Sequence, residues 1–158
     1  MKDQFTLEIM TANANSNLQH TYYSLKTEFR QEPYITQAKN QHIRRILARF
    51  RTGCHWLQVC MGRRHQVEHD ERWCPSCLNC VDDEMHAIFH CRSYALQRSL
   101  FSDLFETAQS LRAFLASNPP HRVALFLEAC KCTRVDGLPN VDLDSTSSLG
   151  QIDDYDSS

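Results

Sequence analysis

Cys74, Cys77, His86 and Cys91 stand in the pattern C-x2-C-x8-H-x4-C. Three thiolates and one imidazole make a complete tetrahedral shell for a Zn2+ ion. The C-x2-C turn brings two sulfurs to one ion from a single tight loop. Residues 83–91 read as one or two helical turns that deliver the other pair. With four protein ligands no position is left for water, so the expected single zinc is structural and not catalytic. Two neighbours leave the ligand set open. Cys80 repeats the C-x2-C step from Cys77, and His90 lies one helical turn after His86. The segment Trp73-Cys74-Pro75-Ser76-Cys77 also has a redox-type W-C-x-x-C spacing, but that chemistry needs a βαβ frame around it.

The eight cysteines would suit a disulfide framework in a secreted chain. Residues 1–8 carry an acid on each side of a very short apolar run, which is not a signal-peptide pattern. No apolar stretch approaches the ~18 residues of a membrane span. The expectation is an intracellular protein, in nucleus or cytoplasm, with reduced thiols and no membrane partner. Clustered Cys and His then read as metal ligands, while Cys54, Cys60, Cys130 and Cys132 read as core or surface thiols.

Hydrophobic spacing predicts a mostly helical domain. A polar arm over 1–17 precedes a helix over 18–30, with Tyr22, Leu25 and Phe29 on one side, ended by Glu32-Pro33. A second helix is expected over 36–51, with Ile43, Ile46, Leu47 and Phe50 as its apolar stripe. Residues 54–61 alternate loosely, as a short strand would. A third helix is expected over 93–108 with Leu100, Phe101, Leu104 and Phe105 inward, and Leu111, Phe114 and Leu115 extend it or begin another. The last, over 121–133, carries Val123, Phe126, Leu127 and Cys130 on one face. From 135 to 158 the composition turns to Asp, Ser, Gly and Pro and is expected to be a disordered acidic tail. The domain proper is thus 18–134.

Lys+Arg number 17 against 19 Asp+Glu, yet the charges are segregated. Residues 39–72 hold a net charge of about +5, and no Lys or Arg follows Arg134. Arg44, Arg45, Arg49, Arg51, Arg63 and Arg64 are the candidate contacts to RNA or DNA, because guanidinium forks match phosphate oxygens. The alternative is a solvated basic face. Asp82, Asp83 and Glu84 form an acidic triplet suited to a helix start, or in principle to Mg2+. No glycine-rich phosphate loop and no activated nucleophile is visible, so neither an enzyme nor a small-molecule substrate is expected.

Longer runs carry a resemblance. These are Tyr23 to Tyr34, Leu47 to Leu57, Met61 to Arg64, Glu71 to Cys77 and Val81 to Tyr94. Together they resemble the zinc-binding region at the C-terminal end of reverse transcriptases from LINE-type (non-LTR) retrotransposons. The family's motifs are a basic L-x-R-F-R helix, H-x-L-x-x-E-x-G-R, R-x-C-x-x-C and E-D-E-x-H-x-L-F-x-C-x-x-Y. The resemblance covers about residues 18–134. It departs at Cys60 and Met61, where the family often has an acidic residue and its neighbour, and in the extra Cys80. No Y-x-D-D polymerase motif is present. The resemblance implies a non-catalytic module with Cys74, Cys77, His86 and Cys91 as zinc ligands. It would hold RNA or DNA for a retroelement polymerase supplied elsewhere. The alternatives are a zinc-stabilised protein–protein interaction module and a non-functional retroelement remnant.

Overall fold

The structure, a computed structural model, describes Leu7, residues 20–26, Glu28 and residues 30–137. Apart from Leu7, the expected arm over 1–17 lies outside the described residues, as does the tail beyond 137. The fold is mostly α. Among the described residues there is no strand, only an isolated antiparallel bridge between Trp73 and Val81.

Among the described residues the chain runs through the α-helices α1 His20–Leu25, α2 Pro33–Gln37, α3 Gln41–Arg51, α4 Gln58–Arg64, α5 Ala95–Leu100, α6 Leu111–Ser117 and α7 Pro120–Gly137. None of them is long and apolar enough to cross a membrane. α7 takes in the first three residues of the expected tail, 135–137.

α1 is shorter than its sequence pattern. It stops at Leu25, and the next residue, Lys26, turns inward to meet Glu32 at 3.1 Å. The helix expected over 36–51 is two helices. Asn40 interrupts it and caps α3, its side chain accepting the His42 N–H at 2.7 Å. Asparagine competes with helical backbone inside a helix but serves it at the cap. Asn40→Ala is expected to lower stability by about 1 kcal/mol in urea denaturation. α3 ends in a Schellman turn. Gly53 sits at φ 68°, with Gly53 N–H on Phe50 O at 3.2 Å and Cys54 N–H on Arg49 O at 2.8 Å.

Residues 54–61, whose loose alternation is too brief to separate strand from helix, run into α4 at Gln58. Its first amides are held by one residue from elsewhere in the chain. Gln58 N–H donates to Asp82 Oδ2 at 2.6 Å and Val59 N–H to Asp82 O at 3.1 Å. Gly62 is required in α4, since a Cβ there would meet Arg72 Cγ at 2.7 Å. Arg72 lies across it and donates to the carbonyls of Val67 and Val59.

The helix expected over 93–108 is broken into a 3-10 turn Arg92–Tyr94, α5 and a 3-10 turn Ser102–Leu104. Leu100, expected inward, is 66% exposed, whereas Leu104 is fully buried. The break lets Phe101 and Phe105 both reach α7, with ring centroids 5.8 and 5.4 Å from Phe126. Phe114 of α6 joins them, 5.2 Å from Phe105 and 5.7 Å from Phe126. This tilted and edge-on aromatic cluster is continuous with Leu47, Phe50, Leu57, Ile88, Val123 and Leu127 in a single core. Cys74 and Cys91 belong to that same core, so the candidate metal site is built into it.

Candidate metal centre

Cys74 and Cys77 sit in a hairpin closed by the Trp73–Val81 bridge and by Cys74 N–H donating to Cys80 O at 2.9 Å. His86 opens, and Cys91 directly follows, a five-residue π-helical turn, His86–His90. Its defining bond runs from Cys91 N–H to His86 O at 2.7 Å. The wider turn sets the second ligand pair side by side, a use typical of π-turns at functional sites. Asp83 starts the turn by accepting the His86 N–H at 2.7 Å.

One donor atom from each of Cys74, Cys77, His86 and Cys91 lies within 4.8 Å of the others. Cys74 Sγ is 3.8 Å, and Cys77 Sγ 4.0 Å, from Cys91 Sγ. A tetrahedron with Zn–S bonds of about 2.3 Å has S–S edges of about 3.8 Å. The four residues therefore fit one metal ion. Cys80 stands just beside them, its Sγ 3.4 and 3.6 Å from the two ring nitrogens of His86. His90 is exposed. Cys60 and Cys130 are buried thiols, and Cys54 and Cys132 are exposed ones. The βαβ frame that redox chemistry at Cys74 and Cys77 would need is absent among the described residues.

The electrostatics divide the site into a buried and an open side. Burial pushes the Cys74 thiol up to about 12 and raises that of Cys91. At Cys77 desolvation also acts upward. It is outweighed by the Arg92 backbone N–H, the Cys91 and Cys74 thiols and the Arg92 guanidinium, so this thiol lies below its ordinary value. Desolvation lowers His86, which favours the neutral imidazole that ligates. Arg92 also clamps the hairpin to the π-turn by donating to Ser76 O at 2.7 Å. Arg98 of α5 holds the Cys91 carbonyl at 2.7 Å.

The acidic triplet is fully committed, each acid to a different partner. Asp82 receives Arg134 of α7 in a bidentate pair, at 2.7 and 3.1 Å. Asp83 caps the π-turn. Glu84 Oε1 accepts from Thr21 Oγ1 at 2.7 Å and lies 2.9 Å from His55 Nε2. Leu57 N–H lies 3.4 Å from His55 Nδ1, and Nε2 faces the Glu84 carboxylate as its donor. These tertiary links, from α1, α4 and α7 into the metal segment, had no signal in the local sequence.

Leu78 follows the second cysteine at φ 59°, in the left-handed region, with its side chain 64% exposed. A Cβ is strained there. Leu78→Gly is expected to raise the stability of the metal-loaded protein by about 1 kcal/mol, measured as a higher denaturation midpoint. No gain would place the strain elsewhere.

The six arginines do not form one surface. Arg45, Arg49 and Arg64 are exposed. Arg44 is turned back to the carbonyls of Ala38 and Lys39, at 2.8 and 3.2 Å. Arg63 donates to Gly53 O at 3.1 Å, which joins the ends of α3 and α4. Arg51 is 8% exposed. It pairs with Glu32 at 2.6 Å and lies over the Tyr34 ring at 5.3 Å. Arg51 is therefore a core residue and not part of the exposed basic face.

No family model matches the chain, and no curated protein or solved structure shows significant similarity to it.

Proposed function

We infer that the chain is a zinc-binding module of the kind found at the C-terminal end of non-LTR retrotransposon reverse transcriptases. Its zinc is structural, and its exposed arginines serve RNA or DNA. The observation that carries this reading is the gathering of four sulfur and nitrogen donors within 4.8 Å of one another, with two S–S edges at 3.8 and 4.0 Å. Three thiolates and an imidazole favour Zn2+ over harder ions.

The retroelement reading is supported by the way the resembling motif positions meet one another. His55 of the H-x-L-x-x-E-x-G-R segment pairs with Glu84 of the E-D-E-x-H segment. Gly62 of the first makes room for Arg72 of R-x-C-x-x-C. Tyr94, at the end of the last motif, and Asp82, at its start, share Arg134. The motifs thus read as one hydrogen-bonded unit around the metal, which gives their residue types a physical reason. The module is non-catalytic in this reading, with polymerase chemistry supplied by another part of the element.

The nucleic-acid face falls on Arg45, Arg49 and Arg64. Reversing all three to Glu is expected to lower affinity for an RNA strand or DNA duplex at least about tenfold. The dependence of log K on log salt should flatten by roughly 2–3 units, with zinc content unchanged. Equal affinity and slope in the variant would remove nucleic acid from this face. A second reading, a protein-interaction module, is favoured by Leu96 and Leu100, exposed one turn apart on α5. Partner capture that survives nuclease and high salt would support it.

A further inference from the structure

The open side of the metal centre holds one donor more than a tetrahedral ion needs. Cys74 and Cys91 are locked in the core. The other side faces a solvent-open depression lined by Cys77, Cys80, Met85, His86, His90 and Arg92. Cys80 lies against the His86 ring, within 3.6 Å of both nitrogens, about one coordination edge away. Its backbone is tied to the first ligand, because its carbonyl accepts the Cys74 N–H at 2.9 Å. A change of side-chain rotamer on this exposed side therefore moves the sulfur without moving the hairpin.

We propose that Cys80 is an alternative fourth ligand. Its thiolate displaces His86 to give a Cys74–Cys77–Cys80–Cys91 shell, and soft d10 ions such as Cd2+ are held in that form. The inference rests on the metal-site reading above. The exchange involves no redox change. The Cys80 S–H gives its proton to solvent, its sulfur bonds the metal, and His86 leaves as neutral imidazole. Zn2+, of borderline softness, accepts either set, whereas a softer ion favours the fourth sulfur.

The test uses the full chain as wild type, Cys80→Ser, His86→Ala and the double variant. Zn2+ affinity is measured by chelator competition and the ligand set by the Co2+ absorption spectrum. His86→Ala is expected to bind one Zn2+ within about tenfold of wild type, and the double variant about 1,000-fold more weakly. The Co2+ spectrum of His86→Ala should gain thiolate charge-transfer intensity, and its ligand-field bands should move to longer wavelength. If His86→Ala loses zinc as fully as the double variant, or if the double variant stays tight through His90, the proposal is overturned. A wild type that binds no zinc would instead overturn the metal site itself. Should His86→Ala not fold, 113Cd NMR of the unmutated ligand set decides. The resonance should fall in the four-sulfur range and move to the three-sulfur, one-nitrogen range in Cys80→Ser. Identical shifts in the two proteins would sink the alternative ligand.

Discussion

Stripping the metal with a strong chelator is expected to abolish the cooperative unfolding transition of the domain. Structural zinc in small domains contributes about 10–16 kcal/mol of apparent binding free energy at neutral pH. A whole domain of this size is stable by only about 5–15 kcal/mol, so loss of the metal matches or exceeds the margin. The geometry explains why the effect should be global. Cys74 and Cys91 lie in the same core as Leu57, Ile88 and Tyr94, and no regular sheet or long helix runs through residues 65–94 to hold them without the ion. Acid should act like the chelator. In the metal-free protein burial raises the Cys74 and Cys91 thiols, so metal entry must release their protons. Metal-dependent stability therefore grows as pH rises and is lost as pH falls. Circular dichroism melts with and without chelator, and a zinc titration at several pH values, check both statements. A melt that stays sharp and unshifted after complete metal removal would defeat this view, as would a folded Cys77→Ser variant of wild-type stability.

What could be read from the chain beforehand was whatever depends on spacing alone. The ligand pattern C-x2-C-x8-H-x4-C marked the four residues that come together. The stripe of Val123, Phe126, Leu127 and Cys130 marked the buried face of α7. Both signals lie within a few turns of chain. The failures share a different cause. Residues 54–61 show an alternation too short to separate strand from helix, and the partner that holds the start of α4 within them is Asp82, 24 positions from Gln58. Arg51 lies on the polar side of its helix by spacing, yet Glu32 and Tyr34, at the start of α2, bury it. The acidic triplet looked like a dipole-stabilised helix start. Asp83 alone plays that part, while Asp82 and Glu84 turn to Arg134 and His55. In each case the deciding partner is remote in sequence, and nothing in the local pattern names it.

Asp82→Ala is expected to cost the zinc-loaded protein about 3–5 kcal/mol, the range for removing one member of a buried pair. The Asp82 carboxylate is fully buried and the Arg134 side chain 8% exposed. Its two oxygens take both arms of the guanidinium, at 2.7 and 3.1 Å, and the Gln58 N–H at 2.6 Å. Truncation would leave a charge in the core with Tyr94 OH, 3.5 Å away, as its remaining contact in this network. It would also uncap the first turn of α4. The two losses can be separated. Asp82→Ala combined with Arg134→Leu removes the stranded charge and should recover most of the loss, because apolar replacements of buried pairs are often neutral. The residual deficit, about 1 kcal/mol, would then report the α4 cap. Urea denaturation in excess zinc keeps the metal contribution constant across the series. If Asp82→Ala costs under about 1 kcal/mol, the pair behaves like an exposed one, and α4, α7 and the metal hairpin are not joined at this point. If the single variant is crippled and the double is restored, Asp82 is the residue through which the metal segment fixes both helices.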